Sequence, residues 1–233
     1  MYLVSALVTF NLQIHLFSSF ENFLNHSPNI EYVIDQTMAT EPVRRGYCMV
    51  KRIFDIIVSL IALILFAPIL LLCVIAIKLD SRGPVFFIQK RTGLNGDDFP
   101  MIKLRGMVVN AESMGPALTQ KDDPRLTRIG KILRRTSVDE IPQVINVLRG
   151  EMSIVGPRPE VKPITALYSD EQRKVFRYKP GITGISQVNG RQTLSPEERI
   201  QMEVEYYKSA SFWTDIKIIL RTPFIVITNQ GNI

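Results

Sequence analysis

The chain has 233 residues, room for one substantial domain and an appendage, and carries a net charge of +6 with a pI near 9.4. That balance favours an anionic partner, whether nucleic acid, a membrane surface or a phosphorylated substrate. Both histidines, His15 and His26, precede residue 50. From Lys51 onward a Ser-His-Asp triad, a Cys-His pair and a histidine-based zinc site are therefore excluded, and the remaining acids, bases and nucleophiles are mainly carboxylates. Cys48 and Cys73 provide no disulfide framework, which fits a reducing, cytoplasmic setting.

Residues 1–50 read as a poorly defined leader. Its first stretch is apolar but interrupted by Asn11, Gln13 and His15, without a basic start or a small-residue cleavage site, which argues against a signal peptide. Residues 18–46 are polar and contain Pro28 and Pro42, and Met49 is an alternative start. Residues 56–77 carry no charge, and as a helix they match the thickness of a bilayer. Lys51 and Arg52 precede this run, while Lys78, Arg82, Lys90 and Arg91 follow it, so both ends favour the cytoplasm. Pro68 at its centre predicts a kink, and a re-entrant helical hairpin is expected over residues 51–79 in preference to a straight span.

Beyond Gly83-Pro84, Val85-Phe86-Phe87-Ile88 reads as a strand, Asn95-Gly96 as a type I′ turn, and residues 99–104 as the returning arm of a β-hairpin. Lys103 and Arg105 are candidate phosphate contacts, or cations that blunt an edge strand. Residues 110–121 mix helix and loop, and Asp122-Asp123-Pro124 is read as a turn in preference to a metal site. Leu126, Ile129, Ile132 and Leu133 then recur at helical spacing and lead into Arg134 and Arg135.

Asp139 and Glu140 are the centre of the chain's chemistry. Two helix starts suit them: a capping box from Ser137 to Glu140, or Asp139 as N-cap with Pro142 in the first turn. Either places the pair at a helix N-terminus, where the dipole and free amides favour an ionised carboxylate or a bound phosphate. Val144, Ile145 and Leu148 continue that helix and Gly150 suits its end. Arg158 is held between Pro157 and Pro159, and a guanidinium so restrained can grip phosphate oxygens in bidentate fashion. Farther on, Ser195-Pro196-Glu197-Glu198 opens a helix that ends in Tyr206, Tyr207, Phe212 and Trp213. Residues 213–227 suit either the membrane interface or the core. There is no P-loop or GxGxxG fingerprint.

From about residue 51 to the end, the chain resembles the bacterial sugar transferases that act as small monotopic polyprenyl-phosphate phosphoglycosyl transferases. The resemblance rests on ordered motifs: Lys51-Arg52-Ile53-Phe54-Asp55, Gly83-Pro84-Val85-Phe86-Phe87, Asp139-Glu140, Val155-Gly156-Pro157-Arg158-Pro159, and Pro180-Gly181-Ile182-Thr183-Gly184 with Gln187-Val188-Asn189-Gly190-Arg191. It implies an α+β, mainly helical monotopic membrane protein, with a re-entrant helix, a short β-hairpin and a small cytoplasmic catalytic domain (residues 80–233) bearing interfacial helices. The implied reaction gives the sugar 1-phosphate of a UDP-sugar to polyprenyl (undecaprenyl) phosphate and releases UMP. This would take place at the cytoplasmic face of the inner membrane, beside membrane lipid and downstream glycosyltransferases, with no nucleic acid involved.

By the same resemblance Asp139 is the nucleophile, Glu140 is tied to Mg²⁺, and Arg134 and Arg158 bind phosphate. Two departures stand out. Gly106 replaces the family's usual Thr before Met107, and Ala67 replaces the usual Ser before Pro68. The competing reading is an inactive membrane-bound scaffold of a glycan assembly complex.

Overall fold

The computed structural model describes residues 45–115, 123–190, 193–208 and 210–228. The leader up to residue 44, Asp122 and Arg191 thus lie outside the described residues. The described chain is mainly helical α+β, with a long apolar N-terminal helix and a short two-stranded sheet.

Helix α1 (Arg45–Asp80) begins ahead of Lys51 and has Pro68 inside it. The backbone stays helical through Pro68, so the element expected to be re-entrant is a single helix with the proline inside it. The ring removes a single hydrogen bond, a loss that a long helix absorbs. The middle of the helix is bare, with Ile64, Leu65 and Leu72 exposed.

Both ends of α1 dock on the same body. At the start, Lys51 Nζ lies 2.7 Å and Tyr47 Oη 2.8 Å from Asp215 Oδ2. Asp55, buried, accepts from Ser153 Oγ at 2.7 Å and from the Ile154 amide at 3.0 Å. At the far end Ile77 packs with Leu104 and Leu133, and the Ile129 amide donates to Asp80 Oδ2 at 3.0 Å. Val58 packs against the main core, and Leu70 and Cys73 pack against the cluster of Ile77, so Pro68 lies in the stretch of α1 between the two docked parts.

Strands β1 (Phe86–Thr92) and β2 (Asp98–Leu104) form the expected antiparallel hairpin, with Phe86 opposite Leu104 and Thr92 opposite Asp98. Asn95 and Gly96 have φ of 56° and 84° and the Asp97 amide donates to Leu94 O at 3.0 Å, the expected type I′ geometry, set inside a longer loop than a two-residue connection. That loop is closed by the Gly93 amide on Asp97 O at 2.7 Å. Helix α2 (Arg128–Thr136) takes Thr127 as its N-cap, and α3 (Gln143–Arg149) ends at Gly150 with φ of 82°, as its sequence anticipates.

A second ladder pairs β3 (Ser153–Val155) with β4 (Gly181–Thr183) in parallel. Gly156 and Gly181 are needed there because the backbones nearly touch: a Cβ on Gly181 would lie 2.0 Å from Gly156 N. Short helices α4 (Lys162–Thr165), α5 (Asp170–Arg173) and α6 (Ile185–Val188) follow in the chain. Helix α7 (Pro196–Lys208) opens with a reciprocal capping box between Ser195 and Glu198.

The main core joins Phe99 and Met101 of β2 to Val147, Met152, Ile154 and Ile218. Helix α8 (Phe212–Thr228) gives one face to the core and leaves another exposed. Ile218 and Ile225 are buried, while Trp213, Leu220, Phe224 and Ile227 form an exposed apolar stripe at helical spacing.

Asp55→Ala should test the docking of α1, because it leaves Ser153 Oγ and the Ile154 amide without their partner. A loss of about 3 kcal/mol is expected, seen as a fall of about 10 °C in the thermal midpoint in detergent. An unchanged midpoint would refute the anchoring role.

Candidate active site

The acidic pair sits on a tight reversal between two helices. Helix α2 ends at Ser137, whose φ of 57° is left-handed, and the chain enters a 3-10 turn, Val138–Glu140. Pro142, at φ −60°, leads straight into α3. Neither expected cap forms: the Ser137 side chain makes no cap hydrogen bond, and its carbonyl takes the Glu140 amide at 3.2 Å instead. The pair still precedes a helix, but through a 3-10 turn that fixes Asp139 inward.

Asp139 is 8% exposed. Burial, and then the adjacent Glu140 charge, push its carboxyl up to about 6, while Lys103 and Arg134 pull the other way. Lys103 Nζ lies 2.8 Å from Glu140 Oε1. Arg134, in the last turn of α2, has its guanidinium lowered from the ordinary range by burial, against the opposing pull of Asp139. A Cβ on Gly106 would lie 3.7 Å from Arg134 Nε, so this position borders the guanidinium.

A narrow cleft beside the pair is lined by Arg91, Lys103, Glu140, Gln143, Arg158 and Gln187, among others. Four of the predicted residues, Lys103, Arg134, Asp139 and Glu140, thus form one electrostatic group, and Arg158 joins it across the cleft. Arg105 does not. It is buried, and its guanidinium donates to Arg82 O at 2.6 Å and Ser81 O at 2.8 Å, tying β2 to the chain leaving α1. Its role is structural because the carbonyls at the end of α1 claim it first. Asp123 likewise serves its neighbour, with Oδ2 2.7 Å from Arg125 Nη2, in keeping with a turn.

The surroundings of Arg158 were less legible. Glu160 accepts from Arg199 Nη1 at 2.8 Å and lies 3.8 Å from both Arg91 Nη1 and Arg158 Nε. Glu203, buried on α7, accepts from Ser186 Oγ at 2.5 Å and from the backbone amide of Arg158. Burial pushes the Glu203 carboxyl up to about 7. One acid therefore holds both the Pro-Arg-Pro loop and α6, which carries Gln187. A signal was available: Glu203 falls on the same α7 face as Ile200, Val204 and Tyr207, which are buried.

Among the described residues no group of three or more His, Cys, Asp or Glu side chains could hold a metal. Two adjacent carboxylates do suit Mg²⁺, which commonly takes one or two from protein and completes its shell with water and substrate phosphates.

This arrangement coincides with a known family. The family model described as bacterial sugar transferase matches residues 46–229. The chain belongs to the bacterial sugar transferase family. Among its relatives, the UDP-glucose:undecaprenyl-phosphate glucose-1-phosphate transferase of Caulobacter vibrioides is 43% identical over 78% of this chain and 71% of its own. The undecaprenyl-phosphate glucose phosphotransferase of Komagataeibacter xylinus is 44% identical over 78% of this chain but 36% of its own length. The UDP-N-acetylgalactosamine-undecaprenyl-phosphate N-acetylgalactosaminephosphotransferase of Aeromonas hydrophila is 38% identical over 79% of this chain and 45% of its own. The bacterial sugar transferase region is thus shared with relatives whose names give different sugars.

Asp139 and Glu203 both hold protons in the folded state at pH values where the unfolded chain has released them. Folded stability should therefore fall as pH rises from about 4 through about 7. Asp139→Asn and Glu203→Gln should each remove part of that slope, to a limit of roughly 3 kcal/mol. Thermal midpoints between about pH 5 and 8 measure it. Slopes in both variants equal to that of the wild type would contradict the assignment.

Proposed function

We propose that this sugar transferase gives the sugar 1-phosphate of a UDP-sugar to a polyprenyl phosphate, undecaprenyl phosphate, releasing UMP through a covalent phosphosugar-aspartyl intermediate. The general reaction is supported by the names of its relatives. The observation that carries the mechanism is Asp139, a buried carboxylate in the fields of Lys103 and Arg134 and beside Glu140.

Asp139, ionised above about pH 6, attacks the β-phosphorus of the donor. A bond forms from its carboxylate oxygen to phosphorus, the bond to the UMP oxygen breaks, and UMP leaves with the electron pair. A phosphate oxygen of the lipid then attacks the same phosphorus and frees Asp139. Burial helps because the attacking group has little water to shed, and the fixed cations are already in place as charge moves.

Lys103 and Arg134 offset negative charge on the transferring phosphoryl group, and Arg158 and Arg91 do so from the cleft wall. Glu140, with Asp139 beside it, would hold Mg²⁺, which when bound supplies further charge neutralisation on the diphosphate. Glu160 and Glu203 keep Arg158 in place. The two substrates visit one site in turn, so ping-pong kinetics are expected.

The setting is the cytoplasmic face of the inner membrane, with α1 re-entrant. Support comes from the docking of both ends of α1 on one body, the bare apolar middle between them, and the apolar stripe of α8, which suits the interface. Lipid-linked sugar phosphate made there would initiate a membrane glycoconjugate or polysaccharide.

The test is UMP release from a panel of UDP-sugars with undecaprenyl phosphate and Mg²⁺. At least one sugar should give turnover, and Asp139→Asn should lower it by about a thousandfold or more. Full turnover by that variant would rule out Asp139 as nucleophile, and no UMP from any donor would overturn the proposed reaction.

A further inference from the structure

A second cationic group lies away from the catalytic cleft, where α1 meets α3. Arg52 donates through Nη1 to Val147 O at 2.6 Å and through Nη2 to Leu148 O at 2.9 Å. These are carbonyls of the last turn of α3, which Gly150 closes with φ of 82°. A Cβ on Gly150 would meet Arg52 Nη2 at 3.5 Å and Lys179 Nζ at 3.6 Å. Two cationic heads thus converge on the bare side of one glycine.

The neighbouring acids are committed elsewhere. Asp55 receives Ser153 Oγ and the Ile154 amide, and Asp215 receives Lys51 and Tyr47. Among the described residues no hydrogen bond or ion pair reaches Lys179, and Asp55 acts on it only at longer range. Burial, then the Arg52 charge, hold the Lys179 ammonium down at about 8. A half-buried cation beside a second cation, with no close counter-ion, favours an anion that completes the group.

The surroundings indicate the source of that anion. Arg52 lies one turn before the uncharged run of α1, and Ile53 and Ile57 beside it are exposed. With α1 in a bilayer, these cations sit at headgroup depth, where phosphate is the abundant anion. Arg52, Gly150 and Lys179 are not among the residues lining the catalytic cleft.

We propose that Arg52 and Lys179, over Gly150, form a binding site for the phosphate group of an anionic phospholipid, separate from the catalytic site. The inference rests on the membrane placement given under the proposed function. A lipid bound there locks the start of α1 to the end of α3 and the loop before β4, the strand whose Gly181 and Ile182 line the cleft.

The test uses the full chain in phosphatidylcholine nanodiscs with and without about one-fifth phosphatidylglycerol. The readouts are Lys179 acylation, followed by mass spectrometry, and the lipid retained on the protein. Phosphatidylglycerol should return Lys179 toward the ordinary lysine range, so that acylation near pH 8.5 slows about tenfold or more. Lys179→Met should lose the preference for phosphatidylglycerol while still releasing UMP.

Equal Lys179 reactivity in both nanodiscs would overturn the site, and so would unchanged lipid preference in Lys179→Met. The same protection by millimolar inorganic phosphate in pure phosphatidylcholine would overturn the lipid assignment in favour of a free-phosphate site. Stable incorporation and UMP release are scored separately. Their persistence alongside unchanged Lys179 reactivity would overturn this site alone, whereas failure to incorporate would overturn the membrane placement.

Discussion

A buried carboxylate next to a second carboxylate is an unfavourable arrangement, and the structure around Asp139 is organised to hold it. Burial and the Glu140 charge raise its proton affinity, and Lys103 and Arg134 oppose them. The two cations reach the site from different elements, one from β2 and one from the last turn of α2. The left-handed turn at Ser137 lets the chain leave α2 and point Asp139 inward within two residues. If that turn relaxed, the carboxylate would reach water and keep its usual affinity for protons, becoming a poorer match to a dry phosphoryl-transfer site.

The second half of the site is held by acids acting as supports. Glu160 gathers the guanidiniums of Arg91, Arg158 and Arg199, and Glu203 takes the Arg158 amide and the Ser186 hydroxyl. The close β3–β4 contact, possible only with glycine at 156 and 181, carries the loops bearing Arg158 and Gln187 side by side. Helix α1 completes the arrangement by fastening both of its ends to this body, so that the Asp139–Glu140 pair and the apolar surface belong to one unit.

Much of this was legible in the sequence because the signals were local. The uncharged run with basic flanks, the Asn-Gly turn, Gly150 and the helix start at Ser195-Pro196 each depend on a few adjacent residues and appear where expected. The misreadings share a different cause. Arg105 resembles Lys103 in composition, yet the carbonyls that claim it belong to residues 81 and 82, brought near by tertiary packing. The Ser137 pattern fits a capping box, but the preceding helix ends on that same residue and imposes a left-handed turn. The contacts of Glu160 with Arg91 and Arg199 and of Glu203 with Ser186 span distant residues, so only the place of Glu203 on the buried face of α7 is legible locally. Pro68 is legible as a helix-interrupting residue, whereas the helix continues through it over Arg45–Asp80.

The central claim is that Asp139 becomes covalently bonded to the sugar phosphate, and intact-protein mass spectrometry tests it most directly. Incubating the enzyme with its UDP-sugar and Mg²⁺, without polyprenyl phosphate, should add the mass of one sugar phosphate. Fragmentation should place it on Asp139, and adding polyprenyl phosphate should remove it. An enzyme that releases UMP only when both substrates are present, with no adduct on Asp139 under rapid quenching, would contradict the account.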